Sequence, residues 1–388
     1  MMKPIPYGRQ SITQADIDAV VDALKSDFLT QGPRVSKFED TFADYVSAKF
    51  AVAVSSGTAA LHLSALALGV NEESNIITTP ITFAASANCI RYCGGNITFA
   101  DIDSSTALID IDAIEILLQS SPQGTYQGII SVDYAGYPVD LERLRAIANE
   151  YDLWIISDAC HSLGGYFVDS SGRTQKCGNG AFADLTVFSF HPVKHITTGE
   201  GGMITTNDEQ LYRKLLMLRT HGITKENSLV GENHGGWYYE MQMLGFNYRL
   251  PDVNAALGIS QLKRADAGLE RRIQIAAKYD KAFAGSKIKT IHPKSNIGHA
   301  YHLYVIMIEN RKQVYEKLRE KGIYVQVHYI PVHLLPYYQS LGYKQGTLPA
   351  AKFFYEKCLS LPMFPGLTDE EQEFIIENII QLNFLING

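Results

Sequence analysis

Long apolar runs, a paired set of cysteines and an excess of positive charge are all missing from this 388-residue chain. No stretch reaches the roughly 20 apolar residues that a membrane-spanning helix needs. The segment from Ala59 to Val70 is apolar but too short, and it reads as a buried helix. The opening Met-Met-Lys-Pro-Ile-Pro-Tyr has no apolar core of a secretory leader, so no signal peptide is expected and the cytoplasm is the expected location. The cysteines number five (Cys89, Cys93, Cys160, Cys177 and Cys358) and follow no repeat. Cys89 and Cys93 sit in a helix and its end, with no second cluster to complete a metal site, so free thiols are expected and a metal centre is not. The formal net charge of −7 argues against a nucleic-acid partner, which would meet a basic face. No internal repeat or low-complexity linker interrupts the chain.

What is present is globular in character, with 46% hydrophobic and 19% charged residues. The length exceeds one ordinary core, so two domains are expected: residues 1–250 as a large domain and 251–388 as a smaller C-terminal α+β domain. In the first part, apolar β-branched runs alternate with helical patterns. Strands are expected at Phe50 to Val54, Asn75 to Thr79, Asn96 to Ala100, Gly128 to Val132, Leu153 to Ser157, from Leu185, and at Met203 to Thr206. Helices fit Ile111 to Gln119 and Leu141 to Tyr151. This order predicts an α/β fold with a mainly parallel sheet covered by helices on both faces. Beyond Pro251 the texture changes. Asp252 to Phe283 reads as one long helix or a broken pair. Strands are expected at Tyr301 to Ile308 and Tyr324 to His328, with helices around Lys312 to Lys321 and from Asp369 to Leu385.

Sites in open α/β sheets form beyond the carboxyl ends of the strands. Lys194 follows one such strand, with no charged residue before it for nine positions back to Asp184. A lysine in apolar surroundings loses proton affinity and becomes a nucleophile toward carbonyls. Alone, it reads first as a surface lysine after a core strand. Ser55-Ser56-Gly57-Thr58 opens a helix after Val54, where free N–H groups and the helix dipole favour a phosphate; it also reads as an ordinary N-cap. Asp158, at the end of a buried strand, needs a cationic or donor partner such as a protonated ring nitrogen, or caps the next helix. His161 lies one turn further on. Phe83 can stack on a flat ring or belong to the core. Ser189 is a second phosphate donor or a satisfied strand hydroxyl. Each feature is ordinary, but together they are the parts of a pyridoxal phosphate site: an anion cradle, a ring face, a ring-nitrogen partner and a lysine for the aldehyde.

These motifs resemble a known family. The runs Leu29-Thr-Gln-Gly-Pro33, Ser56-Gly-Thr-Ala-Ala-Leu-His62, Asp158-Ala-Cys-His161, Ser189-Phe-His-Pro-Val-Lys194, Gly199-Glu-Gly-Gly202, Gly245-Phe-Asn-Tyr-Arg-Leu-Pro251 and Val327-His-Tyr-Ile-Pro-Val-His333 are similar to those of the DegT/DnrJ/EryC1/StrS sugar aminotransferases, of fold type I. The resemblance covers essentially the whole chain. Within the family, Ile76-Ile-Thr-Thr-Pro-Ile81, Ser131-Val-Asp-Tyr-Ala-Gly136, Phe188-Ser-Phe-His191 and Gln326-Val-His-Tyr329 look most like a UDP-sugar 4-aminotransferase of pseudaminic acid synthesis. Two departures are small: Ser55-Ser56 stands where the family usually has Asn-Gly or Asn-Ser, and Cys160 where it has Ala.

The resemblance implies a large domain with a seven-stranded-type sheet, and pyridoxal 5'-phosphate as cofactor. Lys194 would hold its aldehyde and Asp158 its ring nitrogen. Gly57, Thr58 and Ser189 would hold the phosphate, Phe83 would cover the ring, and His161 would lie near the ring hydroxyl. Asn247 would reach the phosphate of a neighbouring subunit, which implies a homodimer with shared sites. Tyr7, Asp27, Phe28, Leu29, Thr30, Ser56, His328 and Tyr329 would face the nucleotide-sugar, with loops near Trp237 to Tyr239 shaping its pocket. His195 reads as a loop residue. The reaction implied moves an amino group from L-glutamate, leaving 2-oxoglutarate, to C4 of a UDP-4-keto-6-deoxy-N-acetylhexosamine. A 3- or 4-aminotransferase of another dTDP-, GDP- or UDP-sugar is the alternative. A non-catalytic ligand-sensing regulator of the same fold would lack the lysine or carry a basic face.

Overall fold

The computed structural model describes residues 3–387 apart from 227, 233 and 345; the expected outer domain limits at 1 and 388 lie outside the described residues. Seven strands form the central sheet: β1 (Phe50–Val54), β2 (Asn75–Thr78), β3 (Asn96–Phe99), β4 (Gly128–Val132), β5 (Trp154–Asp158), β6 (Leu185–Ser189) and β7 (Gly202–Thr206), in the order β1-β7-β6-β5-β4-β2-β3. The pairs β2–β3, β2–β4, β4–β5 and β5–β6 are parallel. Only β7 runs against its neighbours β1 and β6. Every residue of β4 and β7 is buried, as a sheet covered on both faces requires.

Helices α1 (Gln14–Leu24) and α2 (Pro33–Val46) precede the sheet. Helices α3 (Gly57–Ala67), α4 (Ala85–Tyr92), α5 (Ile111–Gln119) and α6 (Leu141–Glu150) connect the strands up to β5, and α7 (Glu209–Arg219) follows β7. α3 is apolar nearly all round and buried along its length, so its sequence suits a helix inside the protein. A nearly buried ion pair ties the edge of the sheet together. Arg219 Nη1 meets Glu39 Oε1 at 2.5 Å, and the same two groups take the backbone O and N–H of Ala53 in β1.

The long apolar pattern after Pro251 is a broken pair, α8 (Asp252–Leu262) and α9 (Ala265–Phe283). A separate apolar core gathers Ile5 with residues from Ile275 to Leu382. α8 instead packs on α1 and α2, beside a core that includes Phe38, Phe42, Phe188 and Phe190.

One expected strand is absent. Tyr324 to His328 makes only isolated bridges, Ile323 with Ile5 and Gln326 with Ser360. Each flanking segment meets this chain at a single residue, so no ladder propagates and the chain turns away towards the sheet. The strand expected at Tyr301 to Ile308 shortens to Tyr304–Met307, because residues 299–303 are irregular, with a bend at His302 and Tyr301 at φ 47°.

Candidate active site

The carboxyl ends of β1, β2, β4, β5 and β6 and the start of antiparallel β7 meet around a cavity of about 460 Å³. At its α3 side Ser56 is the N-cap: its Oγ accepts from Ala59 N at 3.0 Å and its carbonyl from Ala60 N. The N–H groups of Gly57 and Thr58 belong to the first turn and have no intrahelical acceptor. Close approach here depends on glycine. A Cβ at Gly57 would come within 2.9 Å of Ser189 Cβ, and one at Gly202 within 2.5 Å of Ser56 O. The turn, Thr58 and Ser189 therefore converge on one side of the cavity.

Asp158 closes the floor. It is buried, with Oδ2 accepting from Ser86 Oγ at 2.6 Å and Oδ1 from Cys160 N at 3.1 Å. Among the described residues no cationic side chain forms an ion pair with it. A buried carboxylate so placed calls for a cation or strong donor from a ligand. Lys194 stands across the same cavity, half-buried, its N–H tied to His191 O at 2.9 Å. Burial pushes its amine below the ordinary lysine value, against a weaker upward pull from Cys160 and Asp158.

His161 is buried, and its Nε2 lies 3.2 Å from the Tyr329 hydroxyl. Its Nδ1 is buried with no partner. Burial first, then the neighbouring Lys194, holds this imidazole well below its usual pKa, so it is neutral. His328 Nδ1 lies 2.9 Å from Ser360 Oγ, and its ring sits 5.2 Å from that of Tyr7. Phe83 stands 62% exposed on the cavity wall, its ring 6.3 Å from that of Tyr329.

The fold thus gathers Tyr7, Ser56, Gly57, Thr58, Phe83, Asp158, His161, Ser189, Lys194, His328 and Tyr329 around one cavity. It does not bring Asp27, Phe28, Leu29 or Thr30 there; all four are exposed outside it. Asn247 is likewise exposed outside it, paired through its backbone with Thr220. Trp237, at 75% exposure, and its neighbours Tyr238 and Tyr239 do not line it either. His195 is more than a loop residue: its Nε2–H donates to Ala300 O at 2.8 Å. Sequence reasoning missed Ser86 and His302. Ser86 stands four residues after Thr82 at a helix start, and the two hydroxyls meet at 2.8 Å. His302 was a polar residue at the head of an apolar strand pattern.

A cationless buried carboxylate, a helix start with spare N–H groups, a depressed amine and an orphaned imidazole nitrogen define the ligand these residues fit. It is flat, and it brings a protonated ring nitrogen, an anion and a carbonyl.

The chain belongs to the DegT/DnrJ/EryC1/StrS aminotransferase family, whose model matches residues 10–380. It is 37% identical over 385 residues to the UDP-4-amino-4,6-dideoxy-N-acetyl-beta-L-altrosamine transaminase of Campylobacter jejuni strain 81-176, covering 97% of each chain. It is 36% identical over 386 residues to the spore coat polysaccharide biosynthesis protein SpsC of Bacillus subtilis, covering 97% of this chain and 96% of that one. Among solved structures it is similar to Helicobacter pylori PseC, an aminotransferase involved in the biosynthesis of pseudoaminic acid, with a TM-score of 0.90, 32% identity and coverage of 99% and 100%. It matches the sugar aminotransferase Spr1654 of Streptococcus pneumoniae in its PMP-form with a TM-score of 0.91, 32% identity and coverage of 98% and 99%. Pyridoxal phosphate is the cofactor of this family, and the residues of the cavity fit it.

Proposed function

We propose that this aminotransferase moves the amino group of L-glutamate to C4 of a UDP-linked 4-keto-6-deoxy-N-acetylhexosamine. The product would be UDP-4-amino-4,6-dideoxy-N-acetyl-beta-L-altrosamine, for pseudaminic acid synthesis. The observation that carries the aminotransferase chemistry is the cationless Asp158 facing the same cavity as the depressed Lys194 amine. The resemblance to the C. jejuni and H. pylori enzymes supports the substrate.

Pyridoxal phosphate, when bound, supplies the electron sink and carries the amino group between donor and acceptor. In this reading Asp158, held by Ser86, pairs with the ring N–H and keeps it protonated. The Gly57 and Thr58 N–H groups, the Thr58 hydroxyl and Ser189 Oγ hold the phosphate. His161 faces the ring hydroxyl and Phe83 covers a ring face. Lys194 Nζ would hold the aldehyde carbon. Its neutral Nζ would also be the group that takes the proton from the donor's α-carbon as general base and, once protonated, gives it up again as general acid. Its lowered proton affinity suits that task. Tyr7, Ser56, His328 and Tyr329 face the nucleotide-sugar.

The exposed Asp27 to Thr30 and Asn247 fit a homodimer, in which they serve the site of the neighbouring subunit. Residues 1–250 and 251–388 are the proposed domains. The separate core of residues 275–382 supports the division, whereas α8 packs with the N-terminal helices. The cytoplasm is the proposed location; among the described residues no helix is long and apolar enough to cross a membrane.

The similarity to SpsC favours a second reading, amination of a different nucleotide-sugar at C3 or C4. The deciding experiment incubates the purified protein with glutamate and UDP-, dTDP- or GDP-linked 4-keto-6-deoxy sugars, with products read by mass spectrometry and NMR. Preferential C4 amination of the UDP-N-acetyl sugar is expected. Preference for another sugar would establish the second reading, and no turnover with any of them would favour a regulator.

A further inference from the structure

His302 is 4% exposed and lines the same cavity as Lys194. Its ring centroid lies 4.3 Å from that of His161 and 5.7 Å from that of His195. Among the described residues, the Nδ1 atoms of all three rings are buried without a partner. No hydrogen bond through Nδ1 sets the position of the His302 ring there; the chain that delivers it does.

That chain is unusually constrained. Tyr301 has φ 47°, a left-handed conformation that is unfavourable for a bulky residue and persists only where its surroundings over-determine it. Here they do. Buried Arg272 on α9 donates from Nη1 to the carbonyls of Tyr301, His302 and Met363 at 3.2, 3.3 and 2.9 Å. Ala300 N donates to Gly136 O at 2.7 Å, and Leu303 N to Ala135 O at 3.2 Å. Tyr301 N donates to His299 Nδ1 at 2.8 Å, and His195 Nε2–H to Ala300 O at 2.8 Å. Gly136, at φ 98°, has no room for a side chain; a Cβ there would come within 2.7 Å of His161 O. The turn after β4, the Lys194 loop and α9 thus all grip the residues on either side of His302.

We infer that His302 is a positioning residue of the active site. Its ring, packed against His161 at 4.3 Å with the two planes tilted by 35°, fixes the plane of that imidazole, hence the Nε2–Tyr329 contact and the direction left for Nδ1. The inference rests on the cofactor reading only for what His161 then meets. Charged and titratable groups face the His161–His302 pair from several elements: Lys194 and His195 from the loop after β6, Arg272 from α9, and His328 and Tyr329 from the C-terminal part. Burial first, then His161, Lys194, His195 and Arg272, holds the His302 ring well below its usual pKa.

The test compares His302→Ala, which removes the ring, with His302→Phe, which keeps a flat one. The readouts are the imidazole nitrogens of ¹⁵N-histidine-labelled apoprotein across pH, the cofactor dissociation constant, and kcat against KM. For His302→Ala we expect the His161 signals to shift and begin to titrate. Cofactor binding should weaken roughly threefold to tenfold, the size of one lost ring contact, with kcat falling and the glutamate KM nearly unchanged. His302→Phe should stay close to wild type in all three. Unchanged His161 signals in folded His302→Ala overturn the inference, as does equal damage in both variants. If His302→Ala does not fold, His302→Phe decides alone: a wild-type His161 spectrum supports the ring-packing role and an altered one overturns it. Wild-type protein that takes up no cofactor would instead sink the cofactor reading, while the apoprotein spectra would still decide the hold of His302 on His161.

Discussion

Ser86 Oγ donates a 2.6 Å hydrogen bond to Oδ2 of Asp158, and Thr82 Oγ1 stands 2.8 Å behind it. The first turn of α4 thus aims the carboxylate that ends β5. Since Asp158 accepts, the Ser86 proton points to it and the Thr82 hydroxyl donates to Ser86. A hydrogen bond to a charged group is worth about 1.5–3 kcal/mol. Ser86→Ala should weaken cofactor binding by roughly tenfold or more while leaving a coloured, slowly active enzyme. Asp158→Ala should abolish turnover. Cofactor titration followed by absorbance checks both; wild-type affinity in Ser86→Ala would remove Ser86 from the site.

Lys194 carries the second prediction. The wild-type holoprotein should be yellow, and borohydride should fix the cofactor's mass on the peptide containing Lys194. Lys194→Ala should keep the fold and lose turnover by several orders of magnitude, since it removes both the aldehyde's anchor and the proton carrier. Peptide mass spectrometry that placed the reduced adduct on another lysine would refute the assignment.

The exposure of Asn247 gives a mixing experiment. If it serves the partner's site, Lys194→Ala and Asn247→Ala chains unfolded and refolded together should regain activity. Random pairing would rebuild about a quarter of the sites. Rescue absent in a mixture that sedimentation shows to be mixed dimers would place Asn247 outside the shared site.

Acid should destabilise this protein from an early point. Burial pushes His195, His299 and His328 down to about 3. Their folded values lie below the unfolded value of about 6.5, so the unfolded chain gains protons first as pH falls. The stability these neutral rings contribute is full above about pH 6.5 and lost progressively toward 3, by about 1.4 kcal/mol per pH unit for each group. Asp133 works in the opposite sense: burial raises it to about 6, so its contribution is lost as pH rises through 6. Among the described residues, burial also holds His62, His161, His302 and His333 low and raises Glu39, so seven histidines stand against two carboxyls. The urea midpoint should therefore fall steeply from pH 7 to pH 5. His299→Asn, which keeps an acceptor for Tyr301 N, should flatten that fall by about one proton's worth; an unchanged slope would refute the neutral-histidine account.

Gly202 offers a purely steric prediction. A methyl group there would sit 2.5 Å from Ser56 O and 2.8 Å from Gly57 N, both backbone atoms that cannot swing away. Gly202→Ala should lower stability by about 1–3 kcal/mol and loosen cofactor binding, because the displaced atoms begin α3. A denaturation curve and a cofactor titration on one preparation test both parts.

Much of this was legible in the sequence, for local reasons. Periodicity gave the seven sheet strands, since buried parallel strands are continuous apolar runs. Lys194, Asp158, Thr58 and Ser189 stood out as candidates because each ends a strand, follows one within a few residues or opens a helix. Tyr324 to His328 misled, because strand formation needs a partner along its length and none runs there. Ser86, His302 and the clamp of Arg272 were out of reach. They act across 72, 141 and 29 residues of chain, and no spacing rule links such distances. The sequence alone determined which chemistry the strand ends could supply, because those side chains and their neighbours along the chain are fixed by local backbone. Only the tertiary structure decided which groups share one cavity, how Asp158 is aimed, that His302 packs on His161 beside the strained Tyr301 backbone, and that Asn247 and Asp27 to Thr30 lie outside that cavity. Those relations arise from packing distant segments into contact.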